Sequence, residues 1–268
     1  MELTGRTVIV TGASEGIGRA TALEVASRGA RVVAAARSQD RLDELVDEAD
    51  GEVVPVAVDL TSASDRARLV DEAGTASALV NVAGQARLGP FAQTTFDDVQ
   101  AQFALNVVAL IELTRAVLPG MLAQGSGHVV NVGSVLGYLP GPPLAVYSAT
   151  KSAVQGFTDG LRREVLGRGV DVTLITPGAV QGTAVLDRAG GVDEGSPVDE
   201  LFDLTGVGPE AVAVAIRQVL EHPGWLTSRA RSVPRAVGLT RLGTVPGLGR
   251  LVDEGTRLLR ERVGGRLS

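Results

Sequence analysis

Lys151 is the only lysine among the 25 basic residues, and it stands four residues after Tyr147, one of two tyrosines in a chain of 268. The segment Tyr147-Ser148-Ala149-Thr150-Lys151 opens a predicted helix, so this spacing puts both side chains on one face. A free tyrosine titrates near pH 10, about 3 units too high for efficient proton transfer at neutral pH. A neighbouring ammonium favours the phenolate, so the pair reads as a general acid/base set. The ordinary alternative is a surface pair one helical turn apart. A chain that otherwise uses arginine throughout, yet keeps one compact ammonium here, argues for chemistry. Ser134 ends the run Asn131-Val132-Gly133-Ser134, where a hydroxyl at a strand's carboxyl end can hydrogen-bond a substrate oxygen.

A second constellation precedes it. Gly12, Ala13, Ser14, Glu15, Gly16, Ile17 and Gly18 lie between an apolar run, Thr7 to Thr11, and an amphipathic stretch beginning at Ile17. Glycines there permit a tight turn and close backbone approach, and a helix N-terminus offers free N–H groups to a pyrophosphate. The next apolar run ends at Ala36, followed by Arg37 and Ser38. A carboxylate at that strand end would hold the ribose 2′-hydroxyl of NAD(H), whereas Arg37 suits a 2′-phosphate. NADP(H) is therefore favoured over NAD(H). Glu15 works against this, because a carboxylate near the adenosine end repels the phosphate.

These residues need a frame, and the chain alternates short β-branched runs with longer amphipathic stretches. Strands are predicted at 7–11, 31–36, 53–58, 78–82, 128–132 and 170–175, and helices at 17–28, 40–49, 64–72, 96–123, 147–166 and 209–220. Such alternation implies βαβ units, a doubly wound parallel sheet between helical layers, and ligands at the strands' carboxyl ends. The stretch 183–208, containing Gly, Asp and Glu without clear periodicity, is expected to be a lid over the site.

Composition narrows the function classes. The absence of cysteine removes disulfides, thiolate metal sites and cysteine nucleophiles. Two histidines far apart, His128 and His222, make a metal site improbable, and none is expected. A net charge of −6 argues against a general nucleic-acid binder. No run reaches 18 apolar residues, and the first residues lack the pattern of a signal peptide. The chain therefore reads as soluble, globular and cytoplasmic.

The ordered set of motifs resembles the classical short-chain dehydrogenase/reductase family over about residues 5 to 222. The resemblance is carried by the turn just described, Asp59 at the third strand's end, Asn81-Val82-Ala83-Gly84, Asn106, Ser134, the Tyr147–Lys151 segment and Pro177-Gly178. It implies a Rossmann-type sheet of about seven strands in a three-layer αβα fold, and hydride transfer between NAD(H) or NADP(H) and a carbonyl or secondary alcohol. By that resemblance Tyr147 is the acid/base, Lys151 lowers its pKa and holds the nicotinamide ribose, and Ser134 steadies the reacting oxygen. Asn106 would support a water through which protons reach Lys151. Asp59 would contact the adenine, while Leu60, Asn81, Ala83, Gly84, Pro177, Gly178, Val180 and Thr183 would line the cofactor cleft. Glu15 stands where NADP-preferring members often carry a basic residue, and Thr183 comes one place later than the family's pattern. A homodimer or homotetramer is implied. An apolar carbonyl or alcohol substrate is suggested by Leu136, Tyr138, Leu139, Pro140, Pro142 and Pro143. The alternatives are an NAD-preferring dehydrogenase and a catalytically silent nucleotide-sensing regulator on the same fold.

The domain is expected to span 1–223, followed by a basic extension over 224–268 with partly helical character. That extension carries nine arginines against Asp253, Glu254 and Glu261, a net charge of +6. It is expected to pack on its own domain or a neighbouring subunit, with weak contact to an anionic membrane surface as the sharper reading.

Overall fold

The computed structural model describes residues 1–181, 207–222 and 231–232. Strands β1 (Thr7–Thr11), β2 (Arg31–Ala36), β3 (Val53–Ala57), β4 (Ala78–Asn81), β5 (Gly127–Val132), β6 (Val170–Thr176) and β7 (Arg231–Ser232) form one sheet in the order 3-2-1-4-5-6-7. Every pairing is parallel. Between them run helices α1 (Gly16–Ala26), α2 (Gln39–Glu48), α3 (Ala63–Ala73), α4 (Phe96–Phe103), α5 (Leu110–Gln124), α6 (Ala145–Glu164) and α7 (Pro209–Glu221).

Alternation along the strands sorts the core into two layers. Val8 and Val10 of β1, with Val32, Val80 and Val130, pack against Ala22 and Val25 of α1 and Val212, Ile216 and Val219 of α7. Ile9, Val33, Leu79 and Val129 point the other way, onto Leu69 of α3, Leu113, Val117 and Met121 of α5, and Leu161 of α6. Strands buried on both faces read as near-continuous apolar runs. The expected three-layer, doubly wound fold is what the chain adopts. The order reverses between β1 and β4, and the crevice at a doubly wound sheet's reversal point is where ligands bind.

Three departures from expectation concern the elements. The single predicted helix over 96–123 is interrupted by a π-helical turn, Ala104–Ala109, which carries Asn106. The whole run from Phe96 to Gln124 is long and apolar enough, with mean hydropathy 1.5, to cross a membrane by length and composition. The count of uninterrupted apolar residues missed this; here one face of the run covers the sheet. Finally, Arg231–Ser232 falls within the predicted extension yet pairs with Ile175 and Thr176 of β6, so the sheet reaches past residue 223. The rest of 224–268 lies outside the described residues, as does 183–208 apart from Val207 and Gly208. Val207 forms a parallel bridge to Val180, and both pack on the core.

Candidate active site

The glycine turn is built for close approach. Gly12 has φ +69°, and a Cβ there would lie 3.0 Å from the Cα of Ala83. A Cβ on Gly18 would lie 2.1 Å from the carbonyl oxygen of Gly12, so α1 starts directly on the turn's backbone. The Thr11 hydroxyl accepts from the N–H groups of Val82 (2.9 Å) and Ala83 (3.1 Å), tying β1's end to the Asn81–Gly84 segment. At the N-terminus of α1, Glu15 makes no capping hydrogen bond through its side chain. First-turn N–H groups without a cap, beside glycines that keep the approach open, fit a nucleotide's phosphates. Ser14, Gly16 and Ile17 are half-buried on this turn. Gly18→Ala is expected to lower the melting temperature and weaken nucleotide binding at least about tenfold, because backbone must shift to admit the methyl group. Melting curves with and without NADPH would check this.

At the end of β2, Arg37 is exposed and Ser38 caps α2, its hydroxyl accepting from the N–H of Arg41 at 3.5 Å. Asp59 follows β3, and its Oδ1 accepts from both the N–H (2.9 Å) and the hydroxyl (2.8 Å) of Thr61. Those two bonds hold the carboxyl below its ordinary range, with Arg37 adding a smaller pull. Leu60 beside it is buried.

Beyond β5, Ser134 begins a short 3₁₀ turn, Val135–Gly137, which lies on α6. A Cβ on Gly137 would sit 3.0 Å from the backbone of Lys151, so glycine allows that contact. The Ser134 hydroxyl accepts from the N–H of Leu136 and lies near enough to the Tyr147 phenol to pull its pKa down. Tyr147 is half-buried as a residue, with its hydroxyl deep among neighbouring groups. The Lys151 Nζ is 5.7 Å from the tyrosine ring centre and donates to the Val132 carbonyl at 2.9 Å. A Cβ on Gly84 would lie 3.3 Å from Asn106 Oδ1 and 3.7 Å from Lys151 Nζ, which brings the Asn81–Gly84 segment into the same group.

Asn106 ties these parts together. Its Oδ1 accepts from the Gln85 N–H (2.8 Å), while its Nδ2 donates to the Gln85 carbonyl (2.8 Å) and to Thr150 Oγ1 (3.0 Å). The Thr150 hydroxyl in turn donates to the Tyr147 carbonyl at 2.7 Å. Below them, Asn81 Nδ2 donates to Asn131 Oδ1 at 2.9 Å across β4 and β5, and Asn131 Nδ2 donates to Thr158 Oγ1 of α6. On the far wall Pro177 follows β6, its carbonyl accepting from the Val135 N–H at 3.0 Å, with Gly178 next and Val180 buried. Thr183 lies outside the described residues.

One electrostatic expectation changes. Burial pushes the Tyr147 phenol up to about 12, partly offset by Ser134, and burial brings Lys151 down to about 8. Desolvation outweighs the Ser134 hydrogen bond's pull on the phenol. Sequence reasoning also missed the parts played by Gln85 and Thr150. Thr150 lies within the Tyr147–Lys151 segment, but a hydroxyl bonded to two partners 44 and 3 residues away has no sequence signature.

The family model for short chain dehydrogenases matches residues 6–190. The chain is 41% identical over 189 residues to a short chain dehydrogenase of Pseudocercospora fijiensis, and 37% identical over 190 residues to the ketoacyl reductase HetN of Nostoc sp.. These matches cover 67% and 68% of this chain but 61% and 66% of the relatives' own lengths. Among solved structures, it resembles a short-chain dehydrogenase from Sphingobium yanoikuyae in complex with NADPH, with TM-score 0.75, 28% identity, and coverage of 98% of this chain and 96% of that one. A short chain dehydrogenase/reductase from Burkholderia phymatum in complex with NAD gives TM-score 0.78 at 28% identity, covering 90% and 94%. The fold agrees with these likenesses, and on the family match the chain belongs to the short-chain dehydrogenase/reductase family.

Proposed function

We propose that the protein is an NADP(H)-dependent oxidoreductase that interconverts a ketone or aldehyde with an alcohol, using Tyr147 as general acid/base. The observation that carries this reading is Lys151. The chain's only lysine is 5% exposed, is held by a backbone carbonyl, and lies beside the half-buried Tyr147. Among the described residues no carboxylate pairs with this lysine; burying such an ammonium is costly, and a silent nucleotide sensor has no use for it.

When bound, the nicotinamide supplies or accepts the hydride. Tyr147 gives its phenolic proton to the substrate oxygen in reduction, and Ser134 fixes that oxygen by a hydrogen bond. Lys151 offsets the charge left on the phenolate. Asn106, through Thr150, holds the first turn of α6 so that Tyr147 keeps its place. Arg37 and Ser38 would take the 2′-phosphate, which favours NADP(H); related structures hold either cofactor. Ala86, Leu88, Leu136 and Leu144 cluster with Tyr147, an apolar wall suited to an apolar substrate. A homodimer or homotetramer is the assembly this reading carries, by family likeness, with the cytoplasm as its proposed location.

The test is a thermal-shift titration with NADPH and NADH, followed by NADPH consumption with a panel of apolar ketones and aldehydes. Ligands that bind the native state raise its apparent stability by mass action. Selective stabilisation by NADPH with carbonyl-dependent consumption supports the reading. A larger shift with NADH overturns the cofactor preference, and no shift with either overturns the enzyme reading.

A further inference from the structure

Glu15 is the feature that the NADP(H) reading leaves unexplained, since its carboxylate lies on the phosphate-binding turn. In the structure Glu15 Oε2 accepts from Arg41 Nη1 at 2.5 Å, across 26 residues of sequence. Arg41 occupies the first turn of α2, the helix capped by Ser38, so this ion pair spans the ends of β1 and β2. Asp59 is the second carboxylate nearby, and Thr61 occupies it. Arg37, by contrast, is exposed and makes no hydrogen bond or ion pair among the described residues. One arginine is thus spent on the turn's own carboxylate, and the other is exposed, with only a small electrostatic pull on Asp59.

We propose that Arg41 is a specificity-determining residue that acts through Glu15. By pairing with the carboxylate it cancels the charge that repels a 2′-phosphate, and so leaves Arg37 and Ser38 able to receive it. This rests on the NADP(H) reading above. Both partners are partly exposed, so the effect is screened by salt and is largest at low ionic strength.

The experiment measures NADPH and NADH dissociation constants by fluorescence titration for the native chain, R41A, E15Q and the double variant, at low and high salt. R41A is expected to weaken NADPH binding about tenfold at low salt while NADH changes by less than about twofold, because the unpaired Glu15 carboxylate then repels a 2′-phosphate that NADH lacks. E15Q is expected to bind NADPH at least as well as the native chain. The double variant is expected to return to within about twofold of E15Q, because the cost of losing Arg41 disappears with the carboxylate it neutralises. Unchanged NADPH affinity in R41A overturns the proposal. So does a double variant as weak as R41A, which would put the guanidinium on the phosphate itself. A native chain that prefers NADH overturns the underlying cofactor reading, and the Arg41–Glu15 coupling in NADPH affinity then still decides the proposal separately.

Discussion

Tyr147→Phe is expected to lower turnover by about 10²–10⁴-fold while leaving NADPH affinity within about twofold. The substitution removes one oxygen and keeps the ring that packs with Leu136 and Leu144, so fold and cleft should persist. Its effect is large because the phenol is the proton donor in this reading, while Lys151 Nζ is held by the Val132 carbonyl. The direction of the phenol's shift adds a pH signature. With its pKa pushed up to about 12 in the free protein, Tyr147 carries its proton throughout the neutral range and is ready to donate. Reduction is therefore expected to run at neutral pH, and oxidation, which needs the phenolate, to speed up as pH rises. Kinetics of the native protein and the Tyr147→Phe variant in both directions would check this; near-native turnover in the variant would sink the assignment.

The second large effect is a gain of stability with a loss of function. Lys151→Met is expected to abolish most activity and yet raise the melting temperature at pH 7 by about 3–6 °C. The ammonium's pKa falls from 10.5 unfolded to about 8 folded because burial disfavours the charge. Between those values the unfolded chain binds the extra proton, so native stability rises with pH across that window. Below about pH 8 both states are charged and the full cost of burial is present. Methionine fills similar space without the charge, so its advantage should be greatest at neutral pH and shrink as the pH climbs through that window. Melting curves of both proteins from neutral to alkaline pH would show it. A lower melting temperature for Lys151→Met would mean that the bond to Val132 outweighs desolvation.

Much of this arrangement is legible in the sequence because parallel strands are buried on both faces. The runs at Thr7–Thr11 and Arg31–Ala36 are continuous and apolar, and the structure gives them the same limits. The glycine turn and the Tyr147–Lys151 spacing are equally local, since each depends on residues close together in the chain. Other features depend on contacts that no local pattern encodes. The π turn around Asn106 leaves apolar periodicity uninterrupted on either side, so the run reads as one helix. Glu15 alone looks like an obstacle to a phosphate, and only the folded chain brings Arg41 onto it. The sign of the Tyr147 shift is likewise a property of burial, which the spacing to Lys151 does not reveal.

Hydride transfer itself gives the most direct test. The native chain would be incubated with NADPH deuterated at the transferring position of its nicotinamide and with an apolar ketone from the panel, and the alcohol analysed by mass spectrometry. One deuterium on the carbinol carbon is predicted with native protein, and almost none with Tyr147→Phe. Deuterium retained in the cofactor with every carbonyl tried, despite tight NADPH binding, would contradict the assignment and leave a nucleotide-binding protein without this chemistry.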